Sequence, residues 1–139
     1  MDLHSKKIVG YSFSCTMTIE LIKRALENAY CIQKPDEGLI FHSDLGTRYT
    51  SDEFAKTIER FNMTHSFSYK GSLCDNACIE SFHAILKKEG VNYVRYLDYK
   101  SAKLALFKYI EGSYNLKRIH SGIGYKTPQK MEDSYTCAA

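Results

Sequence analysis

Apolar positions change their spacing several times along the 139 residues, and each change marks an element. Residues 7–14 form a short run of strand-forming residues around Ile8, Val9, Tyr11 and Phe13 and predict a strand. From Thr16 onward the spacing lengthens, and Ile19, Ile22, Leu26 and Ala29 fall on one face of a helix. A turn from Pro35 to Gly38 precedes residues 39–43, which read as a second, buried strand ending at Asp44, Leu45 and Gly46. Thr50 followed three residues later by Glu53 has the form of a capping box, and Phe54, Ile58 and Phe61 give the next helix its apolar stripe. A third short strand is expected around residues 64–68. Beyond a loop at residues 69–73, Asp75 or Asn76 can cap a helix reaching about Glu89. A last long helix is expected from about Ser101, with Leu104, Phe107, Ile110 and Tyr114 at core spacing, and a Gly/Pro-punctuated tail closes the chain.

Strand and helix thus alternate three times, which predicts an α/β domain with helices packed on a sheet. At 139 residues and 44% hydrophobic content there is room for one domain with its own core. No run approaches the roughly eighteen apolar residues of a membrane span, and the first residues lack a signal peptide's apolar stretch, so an intracellular protein without a membrane partner is expected. Five cysteines without framework spacing suit reduced thiols. Cys74, Cys78 and His83 could approach a zinc ion, but a single C-x3-C pair is also the spacing of ordinary thiols.

The net charge of +3 is unevenly spread. Residues 1–80 hold nine Lys/Arg and eleven Asp/Glu, whereas residues 81–130 hold ten and three. Such a concentration fits a region facing phosphates and equally a solvated, lysine-rich helix surface.

Chemistry enters with the spacing of three polar residues. On a helical wheel Asn76, Glu80, Ala84 and Lys87 lie opposite Ile79, Phe82 and Leu86. Thirty-five residues separate Asp44 from Glu80 and six separate Glu80 from Lys87, with the Asp ending a strand and the Glu on a helix. Around them stand the blocks KKIVGY (6–11), HSDLGTRYTS (42–51), SFSYKG (66–71), DNACIESF (75–82), LKKE (86–89) and YNLKRIHS (114–121). Together these resemble the OrfB-type insertion-sequence transposases and the retroviral-type integrase core of the DDE superfamily.

The resemblance implies a ribonuclease-H-like fold and a DNA transposition chemistry in which three carboxylates hold two Mg²⁺ (or Mn²⁺) ions. Asp44 and Glu80 would be the second and third of those ligands. Hard cations take oxygen ligands, and a pair of them can activate the attacking oxygen and stabilise the leaving one. Lys87, and less directly Asn76, Lys70, Lys117 and Arg118, would contact DNA. His42 either lines the site or packs; Tyr114 and His120 could touch the DNA backbone beside Lys117 and Arg118, but Tyr114 also continues the core stripe.

The family's first Asp lies upstream of the KKIVGY block, so the expectation is a partial core over residues 1–130 and a tail over 131–139. The first strand and most of the second would then be missing from the fold. Asp2 corresponds to the end of the second strand and reads as a turn residue. The chain alone would be inactive, while its longer parent would act on element ends and target DNA as a homo-oligomer in the bacterial cytoplasm, associated with the nucleoid. Two other readings stay open: a ribonuclease-H-like nuclease, and a non-catalytic DNA-binding or assembly fragment.

Overall fold

A parallel strand pair must be joined by a crossover, because its two strands run the same way. The computed structural model, which describes residues 1–69 and 75–136, contains one such pair. Strand β1 (Ile40–Ser43) lies beside β2 (Thr64–Phe67) in the register Ile40 to Thr64 through Ser43 to Phe67. Among the described residues the remaining elements are helical: α1 (Ile19–Gln33), α2 (Asp52–Arg60), α3 (Ala77–Leu86), α4 (Tyr99–Lys108) and α5 (Pro128–Thr136). The chain divides into two compact units, one of Gly10–Ala77 and one combining Met1–Val9 with Cys78–Ala139.

In the unit Gly10–Ala77, α2 is the crossover. Alternation along the strands turns Phe41, Ser43, His65 and Phe67 to one face and Ile40, His42, Thr64 and Ser66 to the other. The first face meets α2, where the Phe41 ring lies 5.5 Å from the fully buried Phe54 ring. Phe54, Ile58 and Leu26 of α1 form the core, with Ile19, Ile22, Tyr49, Phe61 and Met63 packed around them. Burying a side chain such as Phe54 contributes about 1.5–3 kcal/mol. At the rim, Lys23 and Arg60 pair with Glu53 and Glu27 at 2.8 and 2.6 Å. Gly10 lies so close to α1 that a Cβ would sit 2.5 Å from the Ala29 Cβ, so only glycine fits there.

The N-cap of α2 is Ser51, whose hydroxyl accepts the Phe54 N–H, one residue later than the Thr50 cap that the sequence suggests. Glu53 therefore stands in the first turn and turns outward to Lys23. A capping box does form at α4, where the Asp98 and Ser101 side chains each bond the other's backbone.

The other unit has no strand among its described residues, and the strand expected over residues 7–14 does not form. Strand-forming residues need a neighbouring strand to complete their ladder. Ile8 instead receives a side chain: its N–H donates to Asn115 Oδ1 at 3.0 Å and its C=O accepts from Asn115 Nδ2 at 3.1 Å. Asn115 is buried with Ile8, Phe82, Ile110, Tyr114 and Ile123. The expected stripe of the last long helix is only half buried there, since Leu104 and Phe107 are 54% and 47% exposed. Its helix begins at Tyr99 and passes into a π-helical stretch, Tyr109–Asn115, which alters the side-chain phase behind α4. In place of a tail, α5 runs to Thr136, and Glu132 pairs with Lys7.

Candidate functional site

Asp44 directly follows β1, where the backbone leaves the strand pair. It is exposed, and its Oδ1 accepts the Gly46 N–H at 2.9 Å, closing an Asx-type turn. A Cβ at position 46 would lie 2.8 Å from that same oxygen, so Gly46 lets the carboxylate occupy its place. Beside it, burial pushes the Tyr49 hydroxyl up, the Asp44 charge adds to the effect, and Arg48 opposes it.

Glu80 stands in the first turn of α3 and is exposed, while Phe82 is buried on the helix's inner side. Lys87, also exposed, begins a π-helical turn, Lys87–Val91. Two helical turns therefore separate an outward carboxylate from an outward ammonium along one continuous helical run. Burial holds the His83 imidazole low in pKa, and the Lys87 charge adds to this. Asp44 and Glu80 belong to different compact units, each exposed within its own.

The remaining residues divide by partner. Asn76, directly before α3, donates from Nδ2 to Ser68 Oγ at 2.6 Å. Arg118 is committed to Glu89, with its Nη1 2.7 Å from Oε1, while Lys117 is exposed. The Tyr109 hydroxyl also donates to Glu89 at 2.7 Å. Lys70 and Cys74 lie outside the described residues. Cys78 Sγ accepts from Lys6 Nζ at 3.2 Å, and Cys15 and Cys31 are unbridged thiols. Tyr114 is buried with its ring edge-on to Phe82 at 4.8 Å, which settles it as a core residue. Asp2 shapes a tight turn, accepting the Ser5 N–H at 2.7 Å while its own N–H donates to Lys7. Burial raises the Asp2 carboxyl, but the Ser5 and His4 bonds outweigh it and hold it below the usual value.

Two arrangements have no signal in the linear sequence. One is the Glu89, Tyr109 and Arg118 cluster, joined across 20 and 29 residues. The other is a polar network on the outer face of the strand pair. There His42 Nδ1 lies 3.0 Å from Ser66 Oγ, His42 Nε2 3.2 Å from Ser68 Oγ, and Ser68 Oγ 3.3 Å from the Ser43 C=O. Only the position of His42 in a strand, two residues before Asp44, hinted at that face.

A family model described as an integrase core domain matches residues 1–72, and a second of the same description matches residues 61–128. The chain is 40% identical over 132 residues to the transposase for insertion sequence element IS904 of Lactococcus lactis subsp. lactis (strain IL1403), covering 95% of this chain and 52% of that protein. It is 35% identical over 133 residues to the transposase InsF for insertion sequence IS3A of Escherichia coli (strain K12), covering 96% and 46%. The chain thus spans about half the length of these relatives. A chain of the simian T-cell lymphotropic virus intasome in complex with PP2A regulatory subunit B56 gamma superposes with a TM-score of 0.66 at 16% identity, over 85% of this chain and 41% of that one. The catalytic core domain of BIV integrase superposes with a TM-score of 0.55 at 20% identity, over 88% and 76%. At such identities the likeness is one of fold, the ribonuclease-H-like fold of retroviral integrase cores. Among the described residues no helix is long and apolar enough to cross a membrane.

Proposed function

The chain belongs to the integrase core domain family, and we propose that it is a catalytic-core portion of an insertion-sequence transposase that serves DNA transposition, with Asp44 and Glu80 as metal-binding carboxylates. The observation that carries this reading is Asp44 itself: an exposed carboxylate at the C-terminal end of a parallel strand, with the glycine that its turn requires.

The donor set suits the group. Divalent metals are typical of the family, and two exposed carboxylates offer the hard oxygens that Mg²⁺ or Mn²⁺ prefers over the nitrogen and sulfur donors of zinc sites. Bound in a pair, such cations supply activation of an attacking oxygen and stabilisation of a leaving one. Asp44 would be one of the holding residues, and the Gly46 N–H on its Oδ1 already fixes how that carboxylate is turned. Glu80, exposed on α3, would be the other, and Lys87 two turns further on would meet a DNA phosphate as a point charge. Lys117 adds phosphate contacts, Asn76 and Lys70 fall at the margin of that surface, and Arg118 must leave Glu89 to join it. The DNA would be element ends and target, and the working protein a homo-oligomer acting at the bacterial nucleoid.

Among the described residues no three His, Cys, Asp or Glu side chains gather as one ion-binding group. The test replaces the matching half of the IS904 transposase with this chain and measures strand transfer on that element's ends in Mg²⁺ and Mn²⁺. Activity should appear and fall by at least about a hundredfold in Asp44→Asn and in Glu80→Gln. An active chimaera indifferent to both substitutions defeats the assignment.

A further inference from the structure

We propose that His42, Ser66, Ser68 and Asn76 are positioning residues, a hydrogen-bonded clasp that fixes the residue from which α3 starts, four positions before Glu80. The inference rests on the reading of Glu80 as a metal-binding residue, but the clasp itself is a matter of geometry within Gly10–Ala77.

Proton inventory gives the clasp a direction. Ser68 Oγ has one hydrogen to give and two lone pairs. Three partners surround it: Asn76 Nδ2 at 2.6 Å, the Ser43 C=O at 3.3 Å and His42 Nε2 at 3.2 Å. The amide nitrogen can only donate and the carbonyl can only accept, so the Ser68 hydrogen goes to Ser43 and Ser68 accepts from Asn76. The third contact is a hydrogen bond only if His42 carries its proton on Nε2. Its Nδ1 then accepts from the Ser66 hydroxyl at 3.0 Å. With a neutral His42 ring, all four contacts are hydrogen bonds at once in this arrangement alone, and such a connected polar network holds its members in place.

The clasp is placed to matter. His42 and Ser66 are register partners on the strand pair, and Ser68 is buried just beyond β2, its N–H also held by the Ser43 C=O at 2.9 Å. These rigid elements supply the anchor. Asn76 is the last residue before α3, whose Glu80 follows four positions later. A second bond, from the Tyr69 N–H to Asp75 Oδ2 at 3.2 Å, reinforces the same neck. Asn76 is therefore a link to the strand ends before it is a DNA contact.

The experiment is NMR on the ¹⁵N-labelled 139-residue chain. The His42 ring should show the Nε2–H tautomer. Ser68→Ala and Asn76→Leu should each lower the backbone order of residues 76–81, from the about 0.85 of a rigid backbone toward about 0.6. The order of α2 should hold, which separates a local release from failure to fold. His42→Phe, which keeps the ring's bulk, should behave like Ser68→Ala, while His42→Gln, offering one donor and one acceptor, should restore order. Paramagnetic broadening by Mn²⁺ should weaken at Glu80 in the clasp variants and persist at Asp44. Unchanged order at residues 76–81 in Ser68→Ala and Asn76→Leu, or the Nδ1–H tautomer, overturns the clasp. If Mn²⁺ broadens neither Asp44 nor Glu80 in the unaltered chain while the order responds as described, the metal reading falls and the clasp stands.

Discussion

Gly10–Ala77 buries its apolar side by repetition of backbone pattern, whereas the unit of Met1–Val9 and Cys78–Ala139 does so through particular side chains. In the first, one crossover helix brings β1 and β2 together, the strands satisfy each other's backbone, and alternation delivers Phe41 to Phe54. In the second, the partners come from opposite ends of the chain: Ile8 with Asn115 and Lys7 with Glu132. No strand completes the backbone of Ile8, so one asparagine amide takes the place of a strand neighbour. A region built on pattern tolerates changes that preserve the pattern. One built on a single amide has no substitute for it, and the two proposed carboxylates are divided between these kinds of support.

The comparison breaks most readily at Phe54. Phe54→Ala should cost about 3–5 kcal/mol in urea unfolding and strip hydrogen-exchange protection from β1, β2 and α2 first. Asn115→Leu should cost about 2–3 kcal/mol, because the Ile8 N–H and C=O are left buried and unpaired, and the protection lost should centre on Ile8. If both variants reduce protection equally at every amide, the two regions unfold as one block and the contrast fails.

DNA binding sharpens the contrast further, since the basic excess lies in residues 81–130. Lys87→Ala and Lys117→Ala should each lower the slope of log affinity against log salt by about one. Arg118→Ala should lower it less, because its guanidinium is already bound to Glu89. Equal slopes for all three variants would place Arg118 on the phosphates after all.

The smallest effect is electrostatic. The Tyr109 hydroxyl and then Arg118 hold the Glu89 carboxyl below 4.5. Its contribution is therefore complete above pH 4.5 and lost as pH falls through the lowered folded value, and exposure limits it to a few tenths of a kcal/mol. Tyr109 runs the other way: burial first, and then the Glu89 bond, push it from 10.0 up to about 12, so its share is present below pH 10 and lost as pH rises toward 12. Urea midpoints across pH should show both declines shrinking in Glu89→Gln. A variant with the parent's pH profile would remove the cluster from the stability of this region.

Asp44 at a strand end, Glu80 and Lys87 on the outer side of a helix, and the order of elements from α1 to α3 were legible in the sequence. Each depends on spacing within one element, and helix and strand periods are fixed by backbone geometry. Family resemblance was legible for the same reason, since ordered blocks survive in a linear string. Other features were decided only by the fold. Residues 7–14 have the composition of a strand, yet a strand is a property of two segments, and Ile8 found an asparagine instead. Leu104 and Phe107 have core spacing, but a π-helical stretch changes the phase behind them. The partners of Arg118, Asn76 and Ser68 depend on which groups meet across distant residues. Periodicity specifies direction along one element, whereas a hydrogen bond's partner is specified only when a second element has been placed beside it.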